Sequence, residues 1–221
     1  MADNRIQELI RSGTNVVFVF GNIGTGKTCF FLTIVNYLYK TCLLRLNSKD
    51  NIEGIAFIEK LSKQLKEKKE LPAPTSGGQI EEVDLRFKFK NKEVVYTFLD
   101  MAGEDLRYVD PTIISSEINI SSEKRGNLDE KINKYLKNQK LPVILLCFID
   151  YELPEEQDRL IHKFFNYIET NYNFNFDKVA LIISKWDKNE NKYNVHEFLS
   201  RFAPQTYIWL QHVVNLSLIH I

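Results

Sequence analysis

Residues 15–31 read NVVFVFGNIGTGKTCFF, from Asn15 to Phe31. After Asn15, five residues form an unbroken run of β-branched and aromatic side chains, and 15–20 has the pattern of a central strand buried on both faces. Gly21, Gly24 and Gly26 then fall within six residues. From Lys27 to about Lys40 the spacing predicts a helix. The segment Gly21-Asn22-Ile23-Gly24-Thr25-Gly26-Lys27-Thr28 fits the pattern G-x-x-x-x-G-K-[ST]. Its chemistry follows from its backbone. Glycines let successive N–H groups turn inward as an anion nest, and the helix start adds the positive end of its dipole. A lysine there reaches β- and γ-phosphates, and a hydroxyl at Thr28 is placed for Mg²⁺. Cys29, next in the chain, completes the candidate phosphate-binding set.

Beyond this segment, 52–70 has helical spacing, with Ile55, Ile58, Leu61 and Leu65 on one side. LPAPTSGG (71–78) breaks structure with two prolines and two glycines. Two strands are expected at 83–90 and 94–99. In the first, Val83, Leu85, Phe87 and Phe89 alternate with charged residues, as on a half-solvated edge strand. The pair Asn91-Lys92 would close the two as an antiparallel hairpin. Further along, 128–140 reads as helix, 142–150 (PVILLCFID) as buried strand and 154–171 as helix. KVALIIS (178–184) is a third buried strand, followed by a short helix at 195–202 and a last strand near 212–218. Strands alternating with helices give an α/β fold with a mostly parallel sheet.

The totals narrow the function. Lys+Arg and Asp+Glu balance at 29 each, whereas surfaces that bind nucleic acid are strongly basic. No apolar run approaches the length of a membrane span. Cys29, Cys42 and Cys147 lack metal-ligand spacing and sit in apolar runs, as reduced core cysteines of a cytoplasmic protein do.

Two further stretches carry chemistry. YTFLDMAGED ends an apolar strand at Asp100, with Gly103 three residues on. A carboxylate there can hold Mg²⁺ through water, opposite Thr28, and a glycine can bring its N–H to a γ-phosphate with no Cβ in the way. LIISKWDK puts Ser184, Lys185 and Asp187 at the end of another strand. Asp187 could accept from guanine N1–H and the 2-amino group, which adenine lacks, while the Lys185 stem lies over the base.

With these three motifs in this order, the chain resembles the translation-factor-related class of P-loop GTPases, which includes the Ras-like proteins. The long helix before LPAPT also looks like the bacterial double-GTPase group. The resemblance implies a single GTPase domain over 1–221, continuing beyond Ile221. Its fold would be α/β: a mostly parallel P-loop (Ras-like) sheet with one antiparallel edge strand and helices on both faces. It implies GTP or GDP as ligand, Mg²⁺ held by Thr28, Thr75 and Asp100, and slow hydrolysis of GTP. Thr75 would be the switch threonine that closes on Mg²⁺ in the GTP state. Glu104 follows D-x-x-G, where Ras-like proteins carry a glutamine that orients water, so Glu104 and Thr75 are the catalytic candidates. Ser184 stands in place of the usual asparagine or threonine. Ser217 is the one residue of the tail that hints at a loop backing the guanine. Effector and regulator proteins would read the switch loops. Two rivals stay open: a P-loop ATPase, if Asp187 is a bystander, and a nucleotide-binding scaffold without turnover.

Overall fold

The computed structural model describes residues 2–41, 52–64, 80–101, 130–138, 140–172, 178–212 and 216–220. The strand predicted from NVVFVF, β1 (Asn15–Phe20), lies inside the sheet with all but its first residue buried. It pairs in parallel with β3 (Lys92–Met101) on one side and β4 (Val143–Asp150) on the other. β5 (Lys178–Ser184) and β6 (Leu216–His220) continue the parallel run. β2 (Ile80–Phe89) pairs antiparallel with β3 at the opposite edge. The six-stranded order is β2-β3-β1-β4-β5-β6. This is the expected α/β architecture, mostly parallel with one antiparallel edge strand.

Side-chain alternation sends the sheet's two faces to different helices. Val17, Val19 and Phe98 pack with Phe31 and Val35 of α2 (Lys27–Thr41) and Ile58 of α3 (Ile52–Lys63). Phe18, Phe20, Leu145 and Leu181 face the other way. There they meet α1 (Ala2–Ser12), α4 (Glu130–Leu136), α5 (Pro154–Tyr172), α6 (Val195–Phe202) and α7 (Pro204–Gln211). The core is therefore two apolar layers around one sheet. Among the described residues no helix is long and apolar enough to cross a membrane.

Several expectations are corrected. The hairpin turns at Lys90-Asn91, one residue earlier than the expected Asn91-Lys92. Both have positive φ, 47° and 63°, and Phe89 pairs with Lys92, the arrangement of a type I′ two-residue turn. The charged side of β2 is not solvated near its start. Asp84 is buried because α1 covers it. The Arg5 guanidinium donates to Asp84 at 2.7 Å and to Glu82 at 2.8 Å, and Thr97 Oγ1 donates to Asp84 at 2.7 Å. The expected strand from 212 starts later, at Leu216, because a helix precedes it. That helix, α7, has a β-like composition but begins on Pro204. Its first free N–H groups, those of Gln205 and Thr206, donate to the buried Asp158 of α5 at 3.1 and 2.6 Å. Ser217 lies within β6, in register with Ala180, and not in a loop. α4 ends at Leu136, short of the expected 140. Cys147 is fully buried in β4, whereas Cys29 is only partly covered, so it is not a core residue. Cys42 lies outside the described residues.

Candidate functional site

The glycine loop joins the end of β1 to the start of α2, and it tolerates no side chain at Gly21 for lack of room and none readily at Gly26 because of its backbone. At Gly21 a Cβ would fall 2.8 Å from Phe148 Cβ and 3.0 Å from Thr25 Oγ1. Gly26 has φ +81°, a region that L side chains rarely adopt. Between them the loop closes on itself. Thr25 Oγ1 donates to the Asn22 carbonyl at 2.9 Å, and the Ile23 N–H donates to Asn22 Oδ1 at 2.8 Å. Lys27 is buried and donates from Nζ to the carbonyl oxygens of Gly21 and Asn22, both at 2.8 Å. Burial pushes its pKa down to about 8, against the pull of the Asp100 carboxylate. The loop thus holds an ammonium group over its own carbonyls at the positive end of α2.

Asp100 sits near the end of β3, opposite Val19 of β1, and is buried. Thr28 Oγ1 donates to Asp100 Oδ2 across a long contact of 3.5 Å. A hydroxyl and a buried carboxylate side by side are hard oxygen donors of the kind Mg²⁺ takes, with phosphate and water supplying the rest. These residues fit Mg²⁺. Among the described residues no group of three or more His, Cys, Asp and Glu gathers that could hold a metal, so the Thr28–Asp100 pair offers two of the oxygens an Mg²⁺ ion would need.

The third motif arrives from β5. Ser184 is buried beside the loop: a Cβ placed on Gly26 would lie 3.9 Å from Ser184 Cβ. Lys185 turns the chain in a left-handed conformation, φ 56° and ψ 33°, uncommon for a non-glycine residue. Its Nζ is gripped by Asp150 and Glu152, each at 2.7 Å. Those hydrogen bonds, Asp150's first, raise the Lys185 pKa, and the same contact lowers that of Glu152. Trp186 packs edge-on against Tyr151 and Phe198. Asp187, next in the short 3₁₀ turn Trp186–Lys188, is exposed.

The fold therefore gathers Gly21 to Cys29, Asp100, Ser184, Lys185 and Asp187 at the C-terminal ends of β1, β3 and β5, the ligand-binding side of an open parallel sheet. Thr75, Gly103 and Glu104 lie outside the described residues. Sequence reading missed Asp150 and Glu152, the anchors of Lys185, although PVILLCFID ends on that aspartate. It also missed Glu156, whose Oε1 accepts from Asn22 Nδ2 at 3.2 Å.

No protein-family model matches the chain, and no curated protein matches it. Among solved structures it is similar to that of Methanosarcina barkeri Roco2 RocCORdC bound to GDP, with 15% identity and a TM-score of 0.43. The match covers 94% of this chain and 43% of that one, so this chain spans less than half of that protein's length.

Proposed function

We propose that this chain binds a guanine nucleotide with Mg²⁺ and works as a switch that hydrolyses GTP slowly. The observation that carries the reading is the meeting of three strand ends. The Lys27 loop, the Thr28–Asp100 pair and the Ser184–Asp187 turn converge on one edge of a mostly parallel sheet. A nucleoside polyphosphate is the ligand with chemistry for all three. Its phosphates take the loop N–H groups and the ammonium of Lys27. Mg²⁺, held by Thr28 and Asp100, would supply charge neutralisation between the phosphate oxygens. With its ammonium held by Asp150 and Glu152, Lys185 offers its apolar stem to a flat base. Asp187, exposed and acceptor-only, suits the N1–H and 2-amino donors of guanine.

Thr75 and Glu104 enter the proposal as the residues that close on Mg²⁺ and orient water in the GTP state. Gly103 would give its N–H to the γ-phosphate. Partners would read the loops that carry them, and the cytoplasm would be their meeting place.

Displacement of a fluorescent GDP analogue tests the reading. GTP and GDP should compete in the presence of Mg²⁺, ATP should not, and chelation should weaken GTP. Lys27→Ala should lower affinity by about 10–100-fold, the loss of one buried charged hydrogen-bond donor. Equal competition by ATP would replace guanine with the ATPase reading; wild-type affinity in Lys27→Ala would remove the phosphate site altogether.

A further inference from the structure

Beside the candidate site, a groove of about 660 Å³ opens between the start of α5 and the loop into α6. Phe198 and Phe202 form its floor with Tyr151, which stacks on Phe198 at 5.0 Å and 17°. Glu152, Glu155 and Glu156 stand at its rim, and none of its described lining residues is a lysine or arginine. Lys185 neutralises Glu152, so in a chain whose charges balance overall Glu155 and Glu156 leave a local excess of two negative charges over an aromatic floor.

We propose that this groove docks an arginine-bearing segment of a partner protein. Glutamates at a helix start are explained by the helix dipole alone, but the rest of the groove is not. Leu153, between the glutamates, is 58% exposed and lines the groove, a large apolar side chain left in water at the mouth of an aromatic cavity. Glu155 has no ion-pair partner among the described residues and is exposed. The rings already accept a guanidinium: Arg201 lies 5.7 Å from the Tyr193 ring centre and 5.3 Å from that of Phe202. Arginine is the side chain that answers all three features. Its planar cation stacks on aromatic faces, forks to carboxylates and carries an apolar stem. A neighbouring apolar residue of the same segment would cover Leu153. Charge complementarity of this kind sets orientation and speeds encounter.

The proposal does not depend on what the glycine loop holds, and the test keeps them apart. Glu152 pairs with Lys185 and Glu156 with Asn22, so both stay unchanged. Glu155→Gln and Leu153→Ser alter exposed groove positions alone. A fluorescein-labelled short peptide of alternating arginine and leucine is titrated with the full chain and read by fluorescence polarisation. The wild type should saturate, and each variant should bind about tenfold more weakly while keeping the wild-type melting temperature. Binding should also weaken with added salt. The proposal is overturned if no saturation occurs, or if both variants bind as the wild type does, which marks diffuse charge attraction. Equal binding of a glutamate–leucine peptide overturns it too. So does saturation by free arginine amide as tight as by the peptide, since the groove would then be a small-molecule pocket.

Discussion

Gly21 is held both by packing and by its backbone, whose φ of 156° L side chains rarely adopt. A methyl group on it would press on Phe148, a fully buried side chain of β4, and on the Thr25 hydroxyl. Neither neighbour can give way cheaply, because Phe148 Cβ is fixed to the sheet and Thr25 is tied to the Asn22 carbonyl. Gly21→Ala should therefore lower stability by about 1–3 kcal/mol, the usual cost of overpacking a core. Urea unfolding measures this; an unchanged midpoint would mean that the loop can shift outward. The same residue scale explains what the sequence concealed about Lys185. Its partners, Asp150 and Glu152, lie more than thirty residues away along the chain. Only the parallel pairing of β4 with β5, which sets Asp150 against Ser184, brings them together. No local pattern announces such a pair.

At the scale of elements, the turn and the first helix make separable claims. Lys90 and Asn91 both occupy left-handed backbone, which asparagine and glycine adopt at less cost than lysine. Replacing the pair with Asn-Gly should raise stability by about 0.5–1 kcal/mol, the relief of left-handed strain less the extra chain entropy of glycine, read as a higher unfolding midpoint. A loss would show that the Lys90 ammonium over the Phe89 ring, at 5.4 Å, outweighs the turn. For α1, Arg5→Ala leaves the Asp84 carboxylate buried without its guanidinium. The side chain of Arg5 is 24% exposed and that of Asp84 3%, so part of the penalty is screened and about 2–3 kcal/mol is expected. Adding Asp84→Asn should recover part of this in a double-mutant cycle; strict additivity would mean that the two groups do not act together. The hairpin itself was legible because alternation and a polar pair are local. The cover that α1 gives β2 was not, since amphipathicity says that a helix has a partner face without naming the partner. α7 was hidden for a related reason: Thr206, Tyr207, Ile208 and Trp209 favour strands, and the cap that makes them helical comes from Asp158 on another helix.

At the scale of the whole molecule, the strand–loop–helix at 15–31 decided the architecture because a glycine loop of this kind needs a buried strand before it and a helix after it. The rest of the sheet follows from right-handed parallel connections with the β2–β3 hairpin at one edge. The sheet then gathers motifs that are far apart in sequence at one set of strand ends, so the site is a property of the fold and not of any single segment. Under the proposed function this site reads guanine, and Asp187 is where that reading can be tested alone. Its carboxylate would accept from N1–H and from the 2-amino group. The amide introduced by Asp187→Asn would instead face a donor with a donor, at about 1–3 kcal/mol for a mispaired polar group. Xanthine carries a carbonyl where guanine carries that amino group, so the new amide could donate to it. Competition by GTP, XTP and ATP against a fluorescent nucleotide, on wild type and Asp187→Asn, measures the exchange directly. The variant should lose about 10–100-fold in GTP affinity and gain XTP, with ATP poor in both proteins. An unchanged order of preference in the variant, or a wild type that favours ATP, would contradict it.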